Sequence, residues 1–119
     1  MTSFKSFEDL EVWKRSCAFS VEIYELTQDW KDWGLKDQMQ RAAVSIASNI
    51  AEGYERRGKD FVRFLRIARG SAAEVRTQIY IAKKIGLVPD EKFAKLIDES
   101  KQISRMLTGL SKSIENRPS

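Results

Sequence analysis

Six basic residues fall close together in one helical run: Arg56, Arg57, Lys59, Arg63, Arg66 and Arg69. Five are arginines, whose planar, permanently charged fork matches two oxygens of a phosphate at once. The chemistry such a row can do is recognition of a polyanion, mostly through phosphate, hence salt-dependent and weakly sequence-specific. Two carboxylates nearby, Glu52 and Glu74, could do acid–base work if they met in a concave pocket that raised their proton affinity. The remaining chemistries lack their residues. There is no histidine and a single cysteine, Cys17. That removes the commonest general base, any zinc site built within one chain on the usual ligand sets, and any Ser–His–Asp or Cys–His arrangement. No GxxxxGK[ST] or GxGxxG run occurs. The sequence calls for no cofactor and no metal, and Cys17, in an apolar pattern, reads as a small buried hydrophobe.

Charge is distributed unevenly. Residues 56–84 hold nine basic side chains against two acids, Asp60 and Glu74, a local net charge of +7 in a chain whose total is +4. A basic stripe along one helix is the electrostatic footprint of binding to RNA or DNA. The plainer alternative is a solvated arginine row neutralised by a neighbouring helix, and Glu8, Asp9, Glu11, Glu22 and Glu25 near the start of the chain could do this. Phe61 and Phe64, beside the row, read as core rather than as platforms for stacked bases.

The elements that must position these residues are helices. Hydrophobic content of 42% with 32% charged residues reads as a globular chain rather than a disordered one. Two prolines and six glycines leave room for long uninterrupted helices. Apolar periodicity and terminal signals place four helices at about 7–29, 35–57, 59–85 and 89–114, in a single domain spanning 1–119. Ser6 with Asp9 makes a capping-box-like start, Gly58 and Gly86 are placed to end helices, and Pro89 falls at the first turn of the fourth. The fourth helix repeats close to a heptad through Phe93, Leu96, Ser100, Ile103, Leu107, Leu110 and Ile114. The tail ENRPS is expected to fray. Four helices with short connections specify an all-α fold, an antiparallel up-down-up-down four-helix bundle. No apolar run is long enough to cross a membrane, and none precedes a cleavage site at the N-terminus, so a cytoplasmic protein without a membrane role is expected.

Two of these helices carry a second face that is neither ordinary core nor ordinary surface. In the second helix, Met39, Ala43, Ile46, Ala47, Ile50 and Tyr54 form the core arc, while Ser45, Ser48, Asn49 and Glu52 lie opposite. In the third, Phe61, Phe64, Leu65, Ala68, Ala72, Val75 and Ile79 face the core. Beside them runs a mixed arc of Ile67, Ser71, Glu74, Gln78, Ile81 and Ile85. The plain reading is local: serines bonding the preceding turn and Glu52 pairing with Arg56. The alternative is that these faces, carrying Ser45, Asn49, Glu52, Ser71, Glu74 and Gln78, meet a neighbouring subunit. The first helix favours it, because its two apolar seams would leave Val12, Phe19 and Ile23 exposed in a lone bundle.

The stretches FEDLEVWKRS, DQMQRAAVSIASNIAEGYERRGKDFVRFLRIARGSAAEVRTQ and AKKIGLV together resemble the 23S ribosomal RNA intervening-sequence proteins. The resemblance runs from about Phe7 to Ile114. It is strongest at Ser45-Ile46 through Asn49-Ile50-Ala51-Glu52-Gly53 and from Phe64-Leu65 through Gly70-Ser71 to Glu74; Ala47 stands where the family often has proline. The resemblance implies a four-helix bundle assembled as a homopentameric ring, in which Ser45, Asn49, Glu52, Ser71, Glu74 and Gln78 would line the contacts between subunits or a central opening. The chain is also similar to the accessory protein of diversity-generating retroelements, a related bundle that forms a basic pentameric barrel and binds nucleic acid and a reverse transcriptase.

The sequence therefore leads to a non-enzymatic, ring-forming bundle that binds nucleic acid, RNA first, through Arg56, Arg57, Lys59, Arg63, Arg66 and Arg69. The competing reading is a scaffold for a protein partner with no nucleic-acid role. The weakest is an enzyme using Glu52 and Glu74.

Overall fold

The computed structural model describes residues 4–117. Pro118 and Ser119 of the tail, and the first three residues, lie outside them. A 3-10 turn, Phe7–Asp9, precedes α1 (Glu11–Thr27), α2 (Trp33–Arg56), α3 (Gly58–Lys84) and α4 (Asp90–Glu115). Each helix packs on its chain neighbour, and α1 also meets α4, closing an antiparallel up-down-up-down bundle of 50 × 22 × 20 Å. Among the described residues no helix is long and apolar enough to cross a membrane.

The helix ends follow local chemistry. Asp9 accepts from the backbone N–H of Lys5 and Ser6, and Ser6 Oγ accepts from the N–H of Glu8. This capping box holds the 3-10 turn rather than α1, because Leu10 is extended (φ −75°, ψ 124°) and α1 begins only after it. Asp32 Oδ1 accepts from the Leu35 N–H at 3.0 Å, so α2 starts at Trp33, two residues before the expected point, with Gly34 in its first turn. Gly86 (φ 85°) ends α3, donating to the Lys83 carbonyl while Leu87 donates to that of Ala82, the paired bonds of a Schellman motif.

The core is built from Phe19, Ile23, Met39, Ile46, Ile50, Leu65, Ala68, Val75, Ile79, Ile103 and Leu107, all without solvent exposure. This corrects the expectation for α1. Val12, Phe19 and Ile23 are buried inside the chain, and it is Val21 and Tyr24 from the other seam that stay exposed. The reason lies in three hydroxyls. Ser16, Ser20 and Thr27 are buried on the core face, each donating to the carbonyl four residues back, so polar residues tolerated there hide the inward seam from a hydrophobic count. Half-buried Cys17 lies to one side, and burial pushes its thiol up.

Across the α1–α4 seam Arg15 donates to both carboxylate oxygens of Glu99 and, at 2.8 Å, to Gln102 Oε1. The Glu99 hydrogen bond raises the guanidinium above its ordinary value, against its partial desolvation.

Candidate nucleic-acid interface

The basic residues are arranged around the α2–α3 turn, which is one residue long. Arg57 ends α2, donating its N–H to the Gly53 carbonyl at 2.9 Å, and starts α3, its carbonyl accepting from Phe61. The chain reverses through two left-handed positions, Arg57 (φ 64°, ψ 172°) and Gly58 (φ 60°). Gly58 has the expected conformation after α2. Arg57 was not expected to share it, since this region is strained for any residue with a Cβ.

So sharp a turn brings α2 and α3 together at Gly53, which is buried under Phe61 and Phe64. Phe64 is covered from outside by Arg56 and Arg63, whose guanidinium carbons lie 5.0 and 4.6 Å from its ring centre. Asp60 stands 3.6 Å from each of these arginines, and Glu52 accepts from Arg56 at 3.2 Å. Arg56 and Arg63 are thus occupied with packing and local ion pairs. Arg57, Lys59, Arg66 and Arg69 are exposed and, among the described residues, pair with no carboxylate. Among the described residues, no acid near the start of the chain forms an ion pair with the row.

The polar second face divides. Ser45 Oγ and Ser71 Oγ are 2.9 Å apart, linking α2 to α3, and Asn49 Nδ2 donates to the Ser45 carbonyl and hydroxyl at 2.8 and 2.9 Å. The Asn49 donation leaves the Ser45 hydroxyl proton free for Ser71. These three residues join within the subunit, a link across helices that neither expected reading contained. Gln78 is buried as well. Glu52 and Glu74 remain exposed on different helices, and neither lines the cleft or the groove described below. Among the described residues no cluster of three metal-ligating side chains forms.

Two concave regions lie beside these faces. A shallow groove between α1 and α2 is lined by Val21, Tyr24, Gln40 and Val44. A cleft of about 1010 Å³ lies at the end of the bundle that holds the α2–α3 turn, and Arg57, Lys59 and Arg66 stand on its wall. Arg117 joins them there. It was not singled out, because only the closed bundle brings the end of α4 beside the α2–α3 turn.

The family model described as 23S rRNA-intervening sequence protein matches residues 8–109. A crystal structure of a protein with unknown function from the S23 ribosomal protein family of Bacteroides thetaiotaomicron VPI-5482 is similar over 85% of this chain and 98% of that chain. The two are 24% identical, with a TM-score of 0.79, a likeness of fold. No curated protein matches this chain.

Proposed function

The chain belongs to the 23S rRNA-intervening sequence protein family, and from that premise we propose that it is a non-catalytic, ring-forming bundle that binds nucleic acid, RNA first. The observation that carries this reading is the set of four exposed cations, Arg57, Lys59, Arg66 and Arg69, with no acid partner among the described residues. Arg56 and Arg63, by contrast, are held by Glu52 and Asp60. Phosphate is the counterion such a row fits.

Two separate apolar faces support assembly. Val21, Tyr24 and Val44 are exposed beside the α1–α2 groove; Ile67, Ile81 and Ile85 are exposed on α3. A ring closes by bringing two different faces of neighbouring subunits together. Glu52 and Glu74 then lie at or near the rim of such contacts, while Ser45, Asn49 and Ser71 fix the α2–α3 pair that presents them.

The test is RNA binding by the triple variant Lys59→Glu/Arg66→Glu/Arg69→Glu, which spares the packed Arg56 and Arg63. The variant should fold and assemble as the parent does and lose binding. Unchanged binding would overturn the assignment. The same apolar faces also suit the second reading, a scaffold for a protein partner. That reading predicts capture of one protein that survives high salt and no RNA binding at low salt.

A further inference from the structure

The cleft at the end of the bundle has a chemistry of its own. Its floor is apolar, made by Leu10, Leu110 and Ile114 from the first and last parts of the chain. Tyr54 and Phe61 form an edge-to-face pair on its wall, ring centres 5.8 Å apart, both half-buried. The Tyr54 hydroxyl donates to the Phe4 carbonyl at 3.1 Å, which brings the N-terminal segment in as a further wall. Four cations line the cleft, Arg57, Lys59, Arg66 and Arg117, against one acid, Glu115. Arg57 holds its guanidinium 5.6 Å from the centre of the Tyr54 ring, and it does so from a backbone conformation that glycine adopts far more readily.

We propose that this cleft seats an unpaired nucleotide at the end of a nucleic-acid strand. The inference rests on the nucleic-acid reading above and adds a place where a strand ends. An apolar floor with aromatic edges suits a base, and cations spread over three elements suit successive phosphates rather than one small anion. Arg66 belongs both to the cleft and to the exposed row with Arg69, so a strand lying along α3 reaches the cleft without leaving positive charge. The volume is that of an ordinary small-molecule site and takes one nucleotide with its phosphate.

The experiment compares three labelled RNAs by fluorescence anisotropy at low salt: a blunt duplex, the same duplex with a three-nucleotide overhang, and that overhang without its bases. The overhang should bind about tenfold tighter than the blunt end, in the range of one stacked base. The abasic overhang should lose most of that gain. Arg117→Glu, at an exposed position on the cleft, should lower overhang binding by a larger factor than blunt-duplex binding, and so reduce the gain. Tyr54→Phe should keep it and Tyr54→Ala should lose it. Equal binding of blunt and overhanging RNA overturns the inference and leaves the nucleic-acid reading standing. A gain that survives without bases, or in both Arg117→Glu and Tyr54→Ala, overturns it as well. Binding to none of the three overturns this inference together with the reading beneath it.

Discussion

Gly53 sits so close beneath Phe64 that a Cβ built on it would stand 2.7 Å from the Phe64 Cβ. The neighbour is the root of a side chain, fixed to the α3 backbone, and cannot swing away. Phe61 closes the other side, its ring at 3.1 Å and its carbonyl oxygen at 3.3 Å. The α2–α3 hairpin can therefore have a one-residue turn only because position 53 has no side chain.

Gly53→Ala tests this directly. Alanine is worth up to about 1 kcal/mol in a helix interior. Overpacking a tight contact costs about 1–3 kcal/mol. The contact should win, giving a net loss of roughly 1–2 kcal/mol, read as a lower midpoint in urea with little change in slope. An alanine variant as stable as the parent would mean that the hairpin is looser than described.

Arg57→Gly should act in the opposite direction. Glycine relieves the left-handed strain of an L residue, about 1–3 kcal/mol, and loses part of that to its own unfolded-state freedom, about 0.4–1 kcal/mol. A gain of roughly 1 kcal/mol is expected in the same urea experiment. RNA affinity should fall in the same variant, because the guanidinium is gone from the cleft wall. Loss of stability would place the turn in another conformation.

Gly70 stands exposed in the middle of α3 with nothing within 4 Å of a Cβ built on it. Nothing within the subunit calls for glycine there, and Ala73 and Thr77 continue a line of small exposed residues past Ile67 and Ile81. Gly70→Leu should raise helix stability by up to about 1 kcal/mol. If a neighbouring subunit packs on this line, the same variant should shift the assembly toward monomer. A variant that assembles normally would move the contact to another face.

The Lys83–Asp90 pair gives a pH signature. Lys83 Nζ lies 2.7 Å from Asp90 Oδ1, joining the end of α3 to the first turn of α4, and this hydrogen bond lowers the Asp90 carboxyl below its ordinary value. A carboxyl lowered in the folded state contributes stability above its unfolded value and loses it as pH falls through the folded one. Asp90→Asn should therefore have a lower Tm than the parent at neutral pH, and the two should converge in acid. A gap that widens in acid would contradict the pairing.

Periodicity made most of this fold legible. The core arcs of α2 and α3, the heptad of α4 and Gly86 at the end of α3 were all visible as spacing or punctuation. Both apolar seams of α1 were visible, but not which of them faces inward, because buried Ser16, Ser20 and Thr27 satisfy themselves on their own helix and do not look like core. Ser45, Asn49 and Ser71 were visible as odd residues, but their meeting depends on the crossing of α2 over α3, which no single helix encodes. The left-handed Arg57 was hidden behind Gly58, the residue that usually takes that role. The end cleft was beyond reach of local reading: Leu10, Tyr54, Arg66 and Arg117 meet only when both ends of the chain close on the turn.

The central claim, a ring that binds RNA through unpaired cations, is tested most directly by light scattering coupled to size exclusion. The runs would be made with and without a short structured RNA carrying an overhang, at low and moderate salt. The account predicts a species of about five 13.7 kDa chains that grows when RNA is added and releases it as salt rises. A single-chain species unmoved by RNA at any salt would contradict it.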